Sequence, residues 1–222
     1  MPLKPEQHFP VMCITQDNLP LTHVEQAEQL CEAGARWIQL RMKNAAPQTW
    51  IDTARAVVAV SRAHEAVCII NDSVEVALAS EADGVHLGRL DLEWVEARRR
   101  LGPDRLLGGT VNDAIDVARV RAAGCLDYAG VGPLRFTTTK QILAPVLGQM
   151  GIRPLILGLI GLPVWVIGGI EPGDLRGVRA AGAAGVAVSS ALFARGQLEG
   201  NFRAFLGAWN RSPSVEPFVI SG

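Results

Sequence analysis

Residues 68–91 read CIINDSVEVALASEADGVHLGRLD, and how this stretch is read decides the fold. Two short apolar runs, Val67 to Ile70 and Gly84 to Leu87, each end in a polar cluster, with a helical pattern between them. Strand, helix, strand in so short a span predicts a βαβ crossover between parallel strands. Asp72 and Asp91 then sit just past two successive strand C-termini, on one side of one sheet. Carboxylates brought together in that way suit a hard divalent cation such as Mg²⁺, which takes oxygen ligands and keeps several waters. Asp is also a favoured helix N-cap, and a helical pattern follows each of the two, so on these residues alone capping competes with metal binding.

The same alternation extends in both directions. Strands are expected at Val11 to Thr15, Trp37 to Met42, Val67 to Asn71, Gly84 to Gly88, Leu106 to Val111, Tyr128 to Pro133, Val164 to Gly168 and Val186 to Ser189. Helical patterns lie between them, at His23 to Ala33, Gln48 to Glu65, Val74 to Ser80, Leu92 to Leu101, Asp113 to Ala123, Pro172 to Ala181 and Ala191 to Trp209. Gly34 and Gly124 stand where helix C-termini are expected. Eight strand–helix units in 222 residues match an α/β single-domain (β/α)8 TIM barrel. A doubly wound open sheet would use fewer strands and a glycine-rich first turn, whereas here the glycines cluster late. Residues 140–163 are apolar but broken by glycine and proline, which predicts a short, irregular sixth helix rather than a membrane span of ~20 apolar residues. The barrel is expected over residues 1–211, with 212–222 as a mobile C-terminal tail.

Composition narrows the function. Hydrophobic residues make up 49% and charged residues 19%, enough apolar material for a sizeable core. A net charge of −1 argues against a nucleic-acid or polybasic membrane surface. The opening MPLKPEQHFP lacks a charged-then-apolar signal layout, which predicts a cytoplasmic protein. Cys13, Cys31, Cys68 and Cys125 have no zinc-type spacing and read as buried free thiols, and the four histidines form no metal-binding pair. No stretch assigns an oligomeric state.

The working face of such a barrel is the set of strand C-terminal ends. Strand two ends QLRMK, so Gln39, Arg41 and Lys43 alternate onto one face. Strand three ends at Asn71-Asp72, Asp91 follows strand four, and strand five ends at Thr110. Strand six runs into Arg135-Phe136-Thr137-Thr138-Thr139-Lys140, three hydroxyls and an ammonium in a loop, Arg135 to Ala144, that could close as a lid. Strands seven and eight end at Gly168-Gly169 and Ser189-Ser190, the position where barrels of this kind bind phosphate. The chain uses 18 Arg but three Lys, and Lys43 and Lys140 both follow expected strands, where a compact ammonium suits phosphate. Arg41, Lys43 and Lys140 facing Asp72 and Asp91 fit a pyrophosphate bridged by Mg²⁺. The residues therefore predict a barrel enzyme with two phosphate sites that displaces pyrophosphate.

QLRMK, IINDSVEVALASEADGVHLGRLD, LLGGTV, DYAGVGPLRFTTTK, VIGGI and GVAVSSAL, in that order from Gln39 to Leu192, together resemble the thiamine-phosphate synthase family. The resemblance implies condensation of 4-amino-2-methyl-5-hydroxymethylpyrimidine pyrophosphate with 4-methyl-5-(2-phosphoethyl)thiazole, both small molecules, by a dissociative path in which pyrophosphate leaves first. It implies pyrimidine-pyrophosphate contacts for Gln39, Leu40, Arg41, Met42, Lys43 and Asn71, and Mg²⁺ ligands at Asp72 and Asp91. It implies that Lys140 holds the leaving pyrophosphate, with Arg41 and Lys43 as further catalytic cations. Thr137, Thr138, Thr139, Gly169, Ser189 and Ser190 would hold the thiazole phosphate. Thr110 stands where the family commonly has Ser, and Arg89 where it commonly has Gln; Arg89 either adds a cation near the metal or points outward. A thiazole tautomerase-like isomerase would need a histidine after strand five, where this chain has Asn112. A non-catalytic phosphate-ligand-binding barrel would have little use for Asp72, Asp91 and Lys140 together.

Overall fold

A computed structural model describes residues 9–136 and 145–213. Eight parallel strands close on themselves in sequence order, with the last hydrogen-bonded to the first. The strands are β1 (Val11–Ile14), β2 (Trp37–Leu40), β3 (Val67–Asn71), β4 (Gly84–Leu87), β5 (Leu106–Val111), β6 (Tyr128–Val131), β7 (Val164–Ile167) and β8 (Gly185–Val188). Helices α1 (His23–Glu32), α2 (Pro47–Ala63), α3 (Val74–Ala79), α4 (Trp94–Leu101), α5 (Ala114–Ala123), α6 (Gly148–Gly158), α7 (Leu175–Ala180) and α8 (Leu198–Arg211) follow them in turn. The expected (β/α)8 barrel is therefore present.

The period-2 alternation of side chains sorts each strand between two apolar layers. Val11 and Cys13, Ile38 and Leu40, Cys68 and Ile70, Val85 and Leu87 belong to the outer layer, between barrel and helices. Met12, Ile14, Trp37, Val67, Ile69, Leu106, Tyr128 and Trp165 fill the barrel interior. The rings of Trp37, Tyr128 and Trp165 meet with centroids 4.8 to 5.7 Å apart and plug the barrel. Gly108 makes room for them: a Cβ there would lie 2.1 Å from the Tyr128 ring. Above this plug, the next inward positions are Gln39, Asn71, His86, Thr110 and Gly130, so the alternation that packs the floor also delivers polar groups to the mouth.

Several boundaries differ from the sequence reading for local reasons. Strand β2 stops at Leu40 rather than Met42, because its ladder to β1 ends at Gln39 and its ladder to β3 ends at Leu40. The helix expected from Ala191 begins only at Leu198; Ser190–Leu192 and Ala194–Gly196 form single 3-10 turns, interrupted by Arg195 at φ 56°. The sixth helix spans 11 residues, short as expected, with its first residue Gly148 at φ 62° and Pro154 within it, and buries Ile152, Leu155 and Ile156. Cys13, Cys31 and Cys68 are buried free thiols as expected, whereas Cys125 is only partly buried. At the C-terminus Ser212 is buried, its hydroxyl donates to the Ala208 carbonyl, and its own carbonyl accepts from Arg179. The rest of the expected tail, from residue 214, lies outside the described residues. Among the described residues no helix is long and apolar enough to cross a membrane.

Candidate active site

The C-terminal end of the barrel opens into a cavity of about 410 Å³. Gln39, Arg41, Asn71, Thr110, Gly169, Ser189 and Ser190, all expected at a site, line it. Leu40 and Met42 do not: Leu40 is fully buried in the outer apolar layer and Met42 packs against that layer. Any role for these two in the site falls to their main chain. Thr137, Thr138, Thr139 and Lys140 lie outside the described residues, as does most of the expected lid.

Lys43, Asp72 and Asp91 do not line the cavity; they form an ionic cluster beside it, next in the chain to its lining residues Arg41 and Asn71. The Lys43 ammonium stands 2.6 Å from the Asp72 carboxylate. Asp91 accepts a 2.6 Å hydrogen bond from the Gly88 N–H, which folds the β4–α4 loop back on itself. Burial pushes the Asp91 carboxyl above its ordinary range, and the neighbouring Asp72 charge adds to this against the pull of the Gly88 N–H and the Lys43 charge. Neither aspartate is a helix cap. The cap of α3 is Ser73, whose hydroxyl accepts from the Val76 N–H, and α4 starts after Glu93. Asp72 instead adopts φ 70°, a left-handed conformation uncommon outside glycine, which costs about 1 kcal/mol or more. A carboxylate pair that repels itself and is set out of the capping role fits a hard cation's donor set. Among the described residues no group of three His, Cys, Asp or Glu converges, so the rest of such an ion's shell would come from water or phosphate.

The wall after β7 and β8 is built from glycines, serines and apolar residues, with Glu171 as its charged lining residue among those described. Gly168 and Gly169 turn the chain after β7 with φ of 97° and 62°. A Cβ on Gly168 would fall 2.5 Å from Pro133, so only glycine lets the β7 turn lie this close to the β6 loop. Arg135 fixes the same turn, donating to the Gly169 carbonyl at 3.0 Å and pairing through two nitrogens with Asp174. The Ser189 hydroxyl is buried at the cavity wall without a hydrogen-bond partner among the described residues. The helix N-terminus expected after strand eight is a single 3-10 turn at Ser190–Leu192.

The structure adds residues that motif spacing had passed over. His86 lines the cavity, with Nε2 3.0 Å from the Thr110 hydroxyl and Nδ1 3.3 Å from the Tyr128 hydroxyl. Its signal was present in the sequence: strand alternation puts it on the face of Asn71, two residues before Gly88. Asn112 also lines the cavity and donates to the Gly132 carbonyl. Arg89 is settled as a brace. Its Nε donates to both oxygens of the buried Asp116 at 2.8 Å, and its guanidinium also meets Asp113, tying the β4–α4 loop to the start of α5.

An eight-stranded parallel barrel with its cavity at the strand C-termini and a glycine turn after β7 has the layout of barrels that bind phosphorylated small molecules. The sequence model of the family described as thiamine monophosphate synthase (TMP-TENI) matches residues 11–192. The chain belongs to that family. It is 42% identical over 183 residues to a thiamine-phosphate synthase of Bacteroides fragilis, covering 81% of this chain and 89% of that one. A thiamine-phosphate synthase of Chlorobium phaeobacteroides is 36% identical over 195 residues, covering 88% and 94%. The solved thiamine phosphate pyrophosphorylase of Pyrococcus furiosus superposes with a TM-score of 0.83 at 28% identity, covering 93% and 98%.

Proposed function

We propose that this chain is a cytoplasmic, Mg²⁺-dependent thiamine-phosphate synthase, joining 4-amino-2-methyl-5-hydroxymethylpyrimidine pyrophosphate to 4-methyl-5-(2-phosphoethyl)thiazole. The observation that supports the reading is an ionic cluster, Lys43, Asp72 and Asp91, beside the lining residues Arg41 and Asn71 and set apart from the glycine–serine wall after β7 and β8, which suits two separate phosphate groups. Gln39, Asn71, His86 and Thr110 offer hydrogen-bonding groups to the pyrimidine above the aromatic plug. Arg41 and Lys43 stand by the pyrophosphate, and Lys140 joins them on the strength of the family motif.

The bond from the pyrimidine methylene carbon to the pyrophosphate oxygen breaks with its electron pair leaving on oxygen. The fixed cations stabilise that growing negative charge. The thiazole nitrogen then gives its lone pair to the methylene carbon, forming the new C–N bond. Asp72 and Asp91 would hold Mg²⁺, which when bound adds positive charge beside the departing pyrophosphate. The turn at Gly168-Gly169, with Ser189 and Ser190, would receive the thiazole phosphate, helped by Thr137, Thr138 and Thr139. This phosphate keeps its charge throughout and so needs fixed dipoles rather than extra cations.

Incubating the chain with both precursors and Mg²⁺ should yield thiamine phosphate, read as a fluorescent thiochrome derivative. Isomerised thiazole phosphate without coupling would point instead to a tautomerase, a reading that Asn112 in place of a histidine disfavours.

A further inference from the structure

Beyond Leu40 the ladder between β2 and its neighbours has ended, yet the next three residues carry Arg41 and Lys43. Two side chains from the β1–α1 loop take over. The Thr15 hydroxyl oxygen accepts from the Arg41 N–H at 3.2 Å, and an Asp17 carboxylate oxygen accepts from the Lys43 N–H at 3.1 Å. Both acceptors are joined by one imidazole: His23 Nδ1 lies 2.8 Å from the Thr15 hydroxyl and Nε2 lies 3.0 Å from the other Asp17 oxygen. An ionised carboxylate can only accept, which puts the imidazole proton on Nε2 and leaves Nδ1 to accept from Thr15. The Thr15 proton is then turned toward His23 and its lone pairs toward Arg41. Gln26, fully buried, holds the loop from behind by accepting from the Gln16 N–H and donating to the Gln16 and Leu21 carbonyls.

We propose that His23 is a positioning residue for the reaction. Through Thr15 and Asp17 it replaces the missing strand ladder and fixes the main chain that carries Arg41 and Lys43. This rests on the reading of those two cations as pyrophosphate ligands. Fixed charges act on a developing charge only if they need not reorganise, so loosening this bracket weakens pyrophosphate binding and turnover while leaving the glycine–serine side of the cavity alone.

The test is amide hydrogen exchange by NMR on the full chain, with binding of inorganic pyrophosphate plus Mg²⁺ and of thiazole phosphate measured alongside. In His23→Ala, α1 keeps its Thr22–Glu25 capping box, so folding should survive. The Arg41 and Lys43 amides should exchange roughly tenfold faster and pyrophosphate should bind roughly tenfold more weakly, the scale of one lost hydrogen bond, with thiazole phosphate within about twofold of wild type. Two further variants separate the arms, because Asn reaches the position of Nδ1 and Gln that of Nε2. His23→Asn should speed exchange mainly at Lys43, and His23→Gln mainly at Arg41. Unchanged exchange in His23→Ala, or equal weakening of both ligands, would overturn the proposal. Turnover by the wild-type chain is scored separately: no product from it, with the amide pattern intact, would sink the functional reading and leave the bracket standing.

Discussion

Past β2 to β4 the cavity is flanked by charged side chains, Lys43 against Asp72 with Asp91 beside them, next to the lining residues Arg41 and Asn71. Past β7 and β8 the rim is mostly glycines and serines, with Glu171 as a charged lining residue and a buried hydroxyl lacking a partner among the described residues. Under the proposed function the two rims meet different electrostatic demands. A leaving pyrophosphate gains charge as its bond breaks, so side chains of full charge, and a cation held by carboxylates, change the barrier. A phosphate that is only held in place changes nothing in charge, and a close-fitting main chain with hydroxyl donors is sufficient. Substitutions in the ionic cluster should therefore act on rate, and those on the glycine–serine rim on affinity.

The largest effect is expected from Asp72→Ala. Removing one of two carboxylates should lower Mg²⁺-dependent turnover by on the order of a hundredfold or more while leaving circular dichroism and the melting transition in place. Unchanged activity would sink the metal assignment. Lys140→Ala comes next, with kcat falling by roughly tenfold to a hundredfold and little change in thiazole affinity. Weakened thiazole binding at full kcat would move Lys140 to the other rim. On the glycine–serine side, Ser189→Ala should raise KM for thiazole phosphate severalfold, about 1 kcal/mol, and leave kcat near wild type. Because its hydroxyl is buried without a partner among the described residues, the same change should leave the melting temperature equal or higher. A lowered melting temperature would mean that the hydroxyl already serves the fold. The smallest effect on catalysis is expected from Arg89→Gln. The guanidinium is 39% exposed but its partner Asp116 is buried, so the change should cost about 1–2 kcal/mol, visible as a drop in melting temperature without loss of catalysis at saturating Mg²⁺.

The barrel was legible because alternation along each strand and a helical period between strands repeat eight times in the sequence and agree with one another. Alternation put Gln39 and Arg41 at the mouth, and the strand ends put Asn71 and Thr110 there; Leu40 and Met42, taken over with the family motif as a block, pack on the other face. The capping alternative for Asp72 fell to a shift of one residue, since Ser73 takes the cap. Sequence patterns set helix starts only to within a few residues, and a left-handed residue such as Asp72 carries no signature of its own. The start of α8 was misplaced because Arg195 breaks an otherwise helical pattern with a backbone turn that its side chain does not announce. His23 was passed over because its partners, Thr15 and Asp17, come from a loop whose path is set by tertiary contacts with Arg41 and Lys43.

The contrast between the two rims is tested most directly by the rate of pyrophosphate release with the two precursors supplied singly and together, with and without Mg²⁺. The account predicts release only when both precursors and Mg²⁺ are present, in step with thiamine phosphate formed. Thiazole phosphate binding without any pyrophosphate release would contradict it, and would leave a barrel whose ionic rim serves some other end.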